Sequence, residues 1–281
     1  MKYEVVFKNF LEATDRTLRQ ILPPEDSYPP AIHHAMRYAV FPGGKRFRAV
    51  LALSACEACG ARPEQALLAA AAIELIHSYS LVHDDLPALD NDDLRRGQPT
   101  VHKRFGEAIG ILTGDALLTL AFQSLSRIEP AAKALRLLEE ISTAAGSYGM
   151  IGGQVADLLS AHGETSLPQL DYIHIHKTGK LIKASAASGA LAAEASGEMK
   201  QRMLKYGECL GLAFQYVDDL IDGDGYLRLV KPGEIRQRIR DLIAKAKREI
   251  KPFGKKGQKL QDLAEFLLER IPKRVHAKVD R

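Results

Sequence analysis

Residues 66–83 read ALLAAAAIELIHSYSLVH. Apolar side chains cover nearly the whole circumference of a helical wheel there, which predicts a helix buried on most sides. The stretches AIGILTGDALLTLAFQSL (108–125) and KLIKASAASGALAAEA (180–195) have the same character. EIRQRIRDLIAKAKREI (234–250) and QKLQDLAEFLLERI (258–271) instead carry one apolar stripe opposite a charged face, as peripheral helices do. No segment alternates apolar and polar residues with period two for long enough to make a strand. The fold class expected is all-α, a single-domain bundle of long helices. One domain is expected over 1–281, with a motif-bearing core at about 36–222 and less typical C-terminal helices at 234–271.

The chain has 281 residues, 46% hydrophobic and 26% charged, which is ordinary for a folded globular protein and excludes a disordered one. No uninterrupted apolar run approaches the roughly 18 residues of a membrane span, so none is expected. The N-terminus, MKYEVVFKNFLEATDR, meets an acid at Glu4, which argues against a secretory signal. Three cysteines make no disulfide framework in a chain this long and favour a reducing, cytoplasmic setting. Cys56 and Cys59 form a C-x-x-C with no second pair beside it, so they read as small buried side chains rather than a zinc site. A net charge of +4 is too mild to argue for nucleic acid but suits an anionic small molecule.

Two acidic clusters stand out. Asp218 and Asp222 are four residues apart and share a helix face, with Asp219 beside them, after the apolar stretch GLAFQYV. Asp84, Asp85, Asp90, Asp92 and Asp93 form the other; Pro87 is where the helix could break so that Asp90 swings back. Like charges so spaced repel unless a divalent cation bridges them. Either cluster alone reads equally well as a solvated helix end; two, each behind an apolar helix, favour metal. Carboxylates binding Mg²⁺ seldom form a full cage, and phosphate of a substrate completes the shell. Matching cations follow Pro42-Gly43-Gly44, as Lys45, Arg46 and Arg48, and follow the first cluster, as Arg95 and Arg96. His77 lies almost on the face of Asp84. Lys177 and Thr178 stand at the mouth of a buried-type helix.

With these residues the chain resembles the trans-isoprenyl diphosphate synthases (polyprenyl synthetases), particularly the bacterial farnesyl diphosphate synthase type. The matching segments, in family order, are GGKRFR (43–48), IELIHSYSLVHDDLPALDNDDLRRGQPTVHKRFGE (73–107), LTGDALLTLAF (112–122), GGQVADL (152–158), HKTGKLI (176–182) and FQYVDDLID (214–222). The resemblance implies that two aspartate motifs, Asp84, Asp85 and Asp90 on one wall and Asp218, Asp219 and Asp222 on the other, hold up to three Mg²⁺ (or Mn²⁺). It implies an allylic diphosphate clamped by those ions beside Arg95 and Lys177, and isopentenyl diphosphate held by Lys45, Arg48, His77 and Arg96. Thr178 and Gln215 would flank the allylic cation, and Tyr79 with Ser80 would set product length at the floor of the pocket.

The activity so implied is head-to-tail condensation of isopentenyl diphosphate with dimethylallyl or geranyl diphosphate, to farnesyl diphosphate, with the geranyl or geranylgeranyl product as alternatives. A homodimer is also implied. A terpene cyclase would need aromatic walls, whereas this chain has no tryptophan; a non-catalytic subunit typically lacks one of the aspartate motifs, and both are here. The resemblance departs after Asp222, where family members usually carry a longer loop with two lysines. Here DGDGYLRLVKPGEIRQRIRDL is short: Lys231 stands in for the first lysine, and no residue matches the second.

Overall fold

The structure, a computed structural model, describes residues 2–160 and 166–272. Its main helices are α1 (Lys8–Ile21), α2 (Pro30–Val40), α3 (Phe47–Ala58), α4 (Leu67–Asp84), α5 (Glu107–Leu125), α6 (Ala131–Ala145), α7 (Met150–Ser160), α8 (Leu167–Ile173), α9 (Lys180–Ala192), α10 (Gly197–Asp222), α11 (Pro232–Ile250) and α12 (Gln258–Glu269). A π-helical turn, His174–Gly179, joins α8 to α9. Among the described residues the strands are β1 (Leu94–Arg95) and β2 (Gln98–Pro99), a two-residue antiparallel hairpin too short for period-two patterning to reveal. The architecture is therefore all-α.

The chain divides into two compact units. One comprises Phe7–Val50 and Leu67–Leu138 and contains the first aspartate motif. Its axis is α4, in which Ala69 to Ile76 are all buried. Glu74 in that run would be costly alone, and the loop 43–48 supplies its partners. The Ala49 N–H donates to Glu74 Oε1 at 3.1 Å, and Arg46 Nη1 lies 3.7 Å from Oε2. Arg46 also donates to Asp15 (3.0 Å) and to the Val40 carbonyl (2.7 Å), so one buried guanidinium ties α1, α2 and α4 to the glycine-rich loop.

The other unit comprises Met1–Val6, Leu51–Ala66 and Glu139–Arg281, and contains the second motif. Here α9 is the inner helix, with Leu181, Ile182 and then Ala184 through Ala192 buried. α10 packs along it. Ser196 caps the start of α10 by accepting from Met199 N–H at 3.4 Å, and Gly223 ends the helix at φ +74°. α11 buries Ile235, Ile239, Ile243, Ala246 and Ile250, the stripe its sequence predicts. α12 is fastened by Tyr206, whose hydroxyl donates to the Leu260 carbonyl at 2.6 Å, and by Lys259 against Glu57 at 2.6 Å.

Two helices, Pro63–Asp84 and Glu107–Leu125, are long and apolar enough by length and composition to cross a membrane. The expectation from uninterrupted runs missed them because Glu74 and Asp115 break the letters but not the mean hydropathy. Two-thirds of the first one's apolar window is buried within the protein, as in a core helix. Cys56, Cys59 and Cys209 are thiols outside any disulfide; Cys56 is buried and donates to the Arg62 carbonyl at 3.4 Å, while burial pushes the Cys59 thiol up to about 11. A buried thiol beside one of raised pKa fits the reading of that pair as packing residues.

Candidate active site

The first motif forms where α4 stops. The helix ends at Asp84, ahead of Pro87, and the chain folds back so that the Asp90 N–H donates to the Asp84 carbonyl at 2.8 Å. Asp84 is half-buried and Asp90 exposed, whereas Asp85 points inward and is buried. Arg95 grips Asp85: Nε donates to Oδ1 at 2.7 Å and to Oδ2 at 2.9 Å, and Nη2 lies 2.5 Å from Oδ1. The β1–β2 hairpin sets this up. Arg96 and Gly97 occupy its turn with φ of +54° and +76°, as a tight type I′ turn requires, and so place Arg95 and Arg96 side by side. Burial raises the Asp85 pKa, against the pull of Arg95. Of the rest of that cluster, Asp93 pairs with Lys103 at 2.7 Å.

The same unit gathers the predicted isopentenyl diphosphate residues. Burial holds the His77 imidazole well below its ordinary pKa, and Arg48, Arg96, Arg46 and Arg95 push it further down, so a neutral ring stands among four guanidiniums. Arg96 donates to the Gly43 carbonyl, and burial and Arg46 lower its pKa. Lys45 is exposed on the same loop. Arg46 and Arg95 already face carboxylates, and the remaining positive charge of Arg48 and Arg96 beside a neutral imidazole suits an anion. Tyr79 is buried near this motif, its ring edge-on to His83, and burial with the Asp84 charge pushes its hydroxyl up to about 12. The Ser80 hydroxyl donates to the His77 carbonyl at 2.9 Å.

The second motif closes α10. Asp218 is partly exposed and accepts from Arg270 Nη2 at 2.8 Å, while that guanidinium lies over the Phe214 ring at 5.1 Å. Asp222 is exposed. Asp219 turns inward, as Asp85 does, but its support differs. Its Oδ2 accepts from the Tyr226 N–H at 2.9 Å, and the nearby Gln215 side chain also favours its charged form. Burial pushes it up to about 7. The short connection after Asp222 makes this possible: the turn Gly225–Arg228 folds onto Asp219 so closely that a Cβ on Gly225 would lie 2.4 Å from Oδ2. Tyr226 in turn donates its hydroxyl to Asp171 and stacks edge-on against His174. Lys231 is exposed at the N-cap of α11.

Lys177 and Thr178 ride on the π-helical turn, both half-buried. The Lys177 ammonium donates to Asp157 Oδ2 at 2.6 Å. Gly153 explains that register: a Cβ there would stand 2.1 Å from the Lys177 nitrogen, so only glycine lets α7 approach the turn. Sequence reasoning quoted GGQVADL without giving Asp157 a task. It also missed Arg270 and Tyr226, which lie outside every motif and carry no local signal.

The Polyprenyl synthetase family matches residues 29–227. This chain belongs to that family. It is 41% identical over 266 residues to a dimethylallyltranstransferase of Fischerella ambigua, covering 86% of this chain and 77% of that one. It is 48% identical over 201 residues to the farnesyl diphosphate synthase of Geobacillus stearothermophilus, covering 70% and 68%. It spans only 57% of the length of geranylgeranyl pyrophosphate synthase 4 of Arabidopsis thaliana, at 44% identity over 75% of this chain. Among solved structures, an FPP/GFPP synthase from Zymomonas mobilis matches with a TM-score of 0.90 and 35% identity, over 95% of this chain and 98% of that one. The polyprenyl synthetase chain is thus an enzyme of the prenyltransferase type, of the short-chain trans-prenyl diphosphate synthases.

That family uses a divalent metal, and the residues fit one in part. Among the described residues no three His, Cys, Asp or Glu side chains form a ready cage. The donor set is nevertheless all carboxylate, and Asp84, Asp90, Asp218 and Asp222 are solvated at least in part, as suits a hard cation that keeps waters and takes substrate oxygens. Asp85 and Asp219 are engaged by the protein.

Proposed function

We propose that this enzyme condenses isopentenyl diphosphate with dimethylallyl or geranyl diphosphate to give farnesyl diphosphate, with Mg²⁺ bound through its aspartate motifs. The observation that carries the reading is the gathering of Arg48, Arg96, Arg46 and Arg95 near enough to His77 for their charges to act on its ring, in the unit whose aspartate motif leaves Asp84 and Asp90 at least partly open to solvent. In this reading Lys45, Arg48, His77 and Arg96 seat the isopentenyl diphosphate. Lys177, oriented by Asp157, and Arg95, oriented by Asp85, face the allylic diphosphate, with Lys231 as a further cation.

The bound ions supply charge stabilisation for the departing diphosphate. The chain's own residues do the rest. Lys177 places a fixed positive charge where negative charge grows as the carbon–oxygen bond breaks, and the Thr178 hydroxyl and Gln215 amide flank the allylic cation. The arginine cluster holds the second substrate so that its double bond attacks without diffusion. The proton lost afterwards goes to the departing diphosphate, so no side-chain nucleophile takes part. We assign the six motif aspartates different tasks: Asp84, Asp90, Asp218 and Asp222 meet the ions, and Asp85 and Asp219 brace the two frames.

Product length follows from Tyr79, buried within reach of the Asp84 charge. With Ser80 it forms the floor that stops the chain at the farnesyl product. We further propose that two copies pair and work in the cytoplasm, where Cys56, Cys59 and Cys209 stay reduced. The face of α7 carrying Ile151, Val155, Leu158 and Leu159 recurs at helical spacing and is exposed, as a face covered by a second copy would be. The test is incubation of the pure protein with labelled isopentenyl diphosphate, dimethylallyl diphosphate and Mg²⁺, followed by chromatography. Farnesyl diphosphate is expected from the wild type and longer products from Tyr79→Ala. No condensation, or an unchanged product from the variant, contradicts the respective part of the reading.

A further inference from the structure

Behind the π-helical turn lies a second cavity, of about 310 Å³, wholly within the unit that carries the second motif. Its walls come from that turn and the start of α9 (Ile175, Gly179, Lys180, Lys183), from α10 (Glu208, Cys209, Leu212) and from α11 (Leu242, Lys245). In a π-helix Ile175 and Lys180 sit one turn apart, as the Lys180 N–H to Ile175 carbonyl bond records. Lys177 is half a turn away from both, so the cavity backs onto the turn rather than onto the Lys177–Asp157 pair.

Two features define what it would take. Ile175, Leu212, Leu242 and the Cys209 side chain give an apolar floor, and Ile175 is 40% exposed. Around that floor stand three lysines and one glutamate. Glu208 is occupied by Lys183 at 2.9 Å, which leaves the charges of Lys180, on α9, and Lys245, on α11, in excess along the lining. An apolar floor with two excess ammonium groups is complementary to an amphiphile with an anionic head, and the volume falls at the small end of ligand pockets.

We infer that this cavity binds a soluble amphiphilic phosphate: a short hydrocarbon chain on Ile175, Leu212 and Leu242, with its phosphate or diphosphate between Lys180 and Lys245. Prenyl diphosphates are of that class, so the identity of the natural ligand rests on the proposed function, but binding does not. Because one wall is the turn that bears Lys177 and Thr178, an occupant would bear directly on the segment that presents them.

Cys209, half-buried in the cavity, reports occupancy without any turnover. The intact protein is alkylated with a maleimide while Cys209 and Cys59 are followed by peptide mass spectrometry, with n-octyl phosphate as the probe. At about ten times its Kd the probe should slow Cys209 labelling about tenfold and leave Cys59 unchanged. The double variant Lys180→Gln/Lys245→Gln, checked for unchanged helicity, should lose the protection; each single variant should weaken it. Unprotected Cys209 overturns the proposal. So does equal protection by octanol or by inorganic phosphate alone, protection only by anionic phospholipid vesicles, or protection that survives the double variant. None of these readouts depends on whether the enzyme condenses prenyl diphosphates, and loss of condensation alone would leave the labelling result standing.

Discussion

The two aspartate motifs look alike in sequence, yet their inner carboxylates are held by different physics. Asp85 is matched by a forked guanidinium, with three contacts of 2.9 Å or less from Arg95. Asp219 is matched by a backbone N–H, an amide and a close-packed glycine, and its pKa rises to about 7. The neighbouring His174, whose Nε2 is 3.8 Å from Oδ2, offers no positive charge, since burial lowers its pKa to about 4. One motif is braced by an ion pair, the other by a folded turn. Of the outer aspartates, Asp218 is paired with Arg270, a bond that must open for its carboxylate to turn to an ion.

The sharpest break between outer and inner positions is expected in turnover. Asp84→Ala and Asp218→Ala should each lower kcat by about a thousandfold, the scale of losing a metal-borne charge from the reacting centre. Asp85→Asn and Asp219→Asn should cost about tenfold, through the frame alone. Equal losses from inner and outer substitutions, at unchanged circular dichroism, would erase the distinction.

Next in size are the braces themselves. Arg95→Gln leaves the buried Asp85 carboxylate without its fork and should lower the unfolding free energy by about 2 kcal/mol in urea titrations. Gly225→Ala puts a methyl group against Asp219 at φ +61° and should cost about as much by sterics rather than charge. The two should separate with salt. Molar NaCl should narrow the Arg95→Gln difference and leave that of Gly225→Ala unchanged; the same salt response in both would contradict the assignment.

A smaller effect is expected at Arg270. The pair with Asp218 is partly exposed, worth at most about 1 kcal/mol. Arg270→Gln should therefore tighten Mn²⁺ binding by about fivefold in the absence of substrate, and weaker binding in the variant would show that Arg270 orders the site instead of competing for it.

The last effect is a pH slope. In metal-free protein Asp219, with a folded pKa of about 7 against about 3.9 unfolded, binds a proton that the unfolded chain lacks. Its contribution is fully present below pH 3.9 and is lost as pH rises through 7. His174, lowered to about 4, acts with the opposite sign, and stability rises as pH climbs from 4 towards 6.5. Urea midpoints of wild type and Asp219→Asn should thus diverge in favour of the variant as pH rises from 5 to 8. A constant difference would place the Asp219 proton elsewhere.

How far the sequence could be read follows from the same contrast. The all-round apolar helix at 66–83 announces a helical core because burial acts on every face, whereas 108–125, read the same way, is only 44% buried over its apolar window and leaves Ile111 and Leu112 exposed. The break at Pro87 that brings Asp90 back to Asp84 was readable, since proline acts locally. The braces were not. Arg270 lies 52 residues from Asp218 and Tyr226 lies 55 from Asp171, separations across which no helical period carries information. The inward turn of Asp85 and Asp219 was invisible for a simpler reason: adjacent aspartates look identical until a backbone decides which one faces the core. The hairpin at 94–99 escaped because two residues per strand leave no pattern, though the Arg96-Gly97 pair marked its turn.

The central claim is that outer aspartates meet the ions and inner ones hold the frame. It is tested most directly by Mn²⁺ electron paramagnetic resonance titration of the wild type and of Asp84→Asn, Asp85→Asn, Asp218→Asn and Asp219→Asn, each with inorganic diphosphate present. The account predicts fewer bound ions in Asp84→Asn and Asp218→Asn, and wild-type stoichiometry in Asp85→Asn and Asp219→Asn. Loss of ions from the inner pair with retention by the outer pair would contradict it.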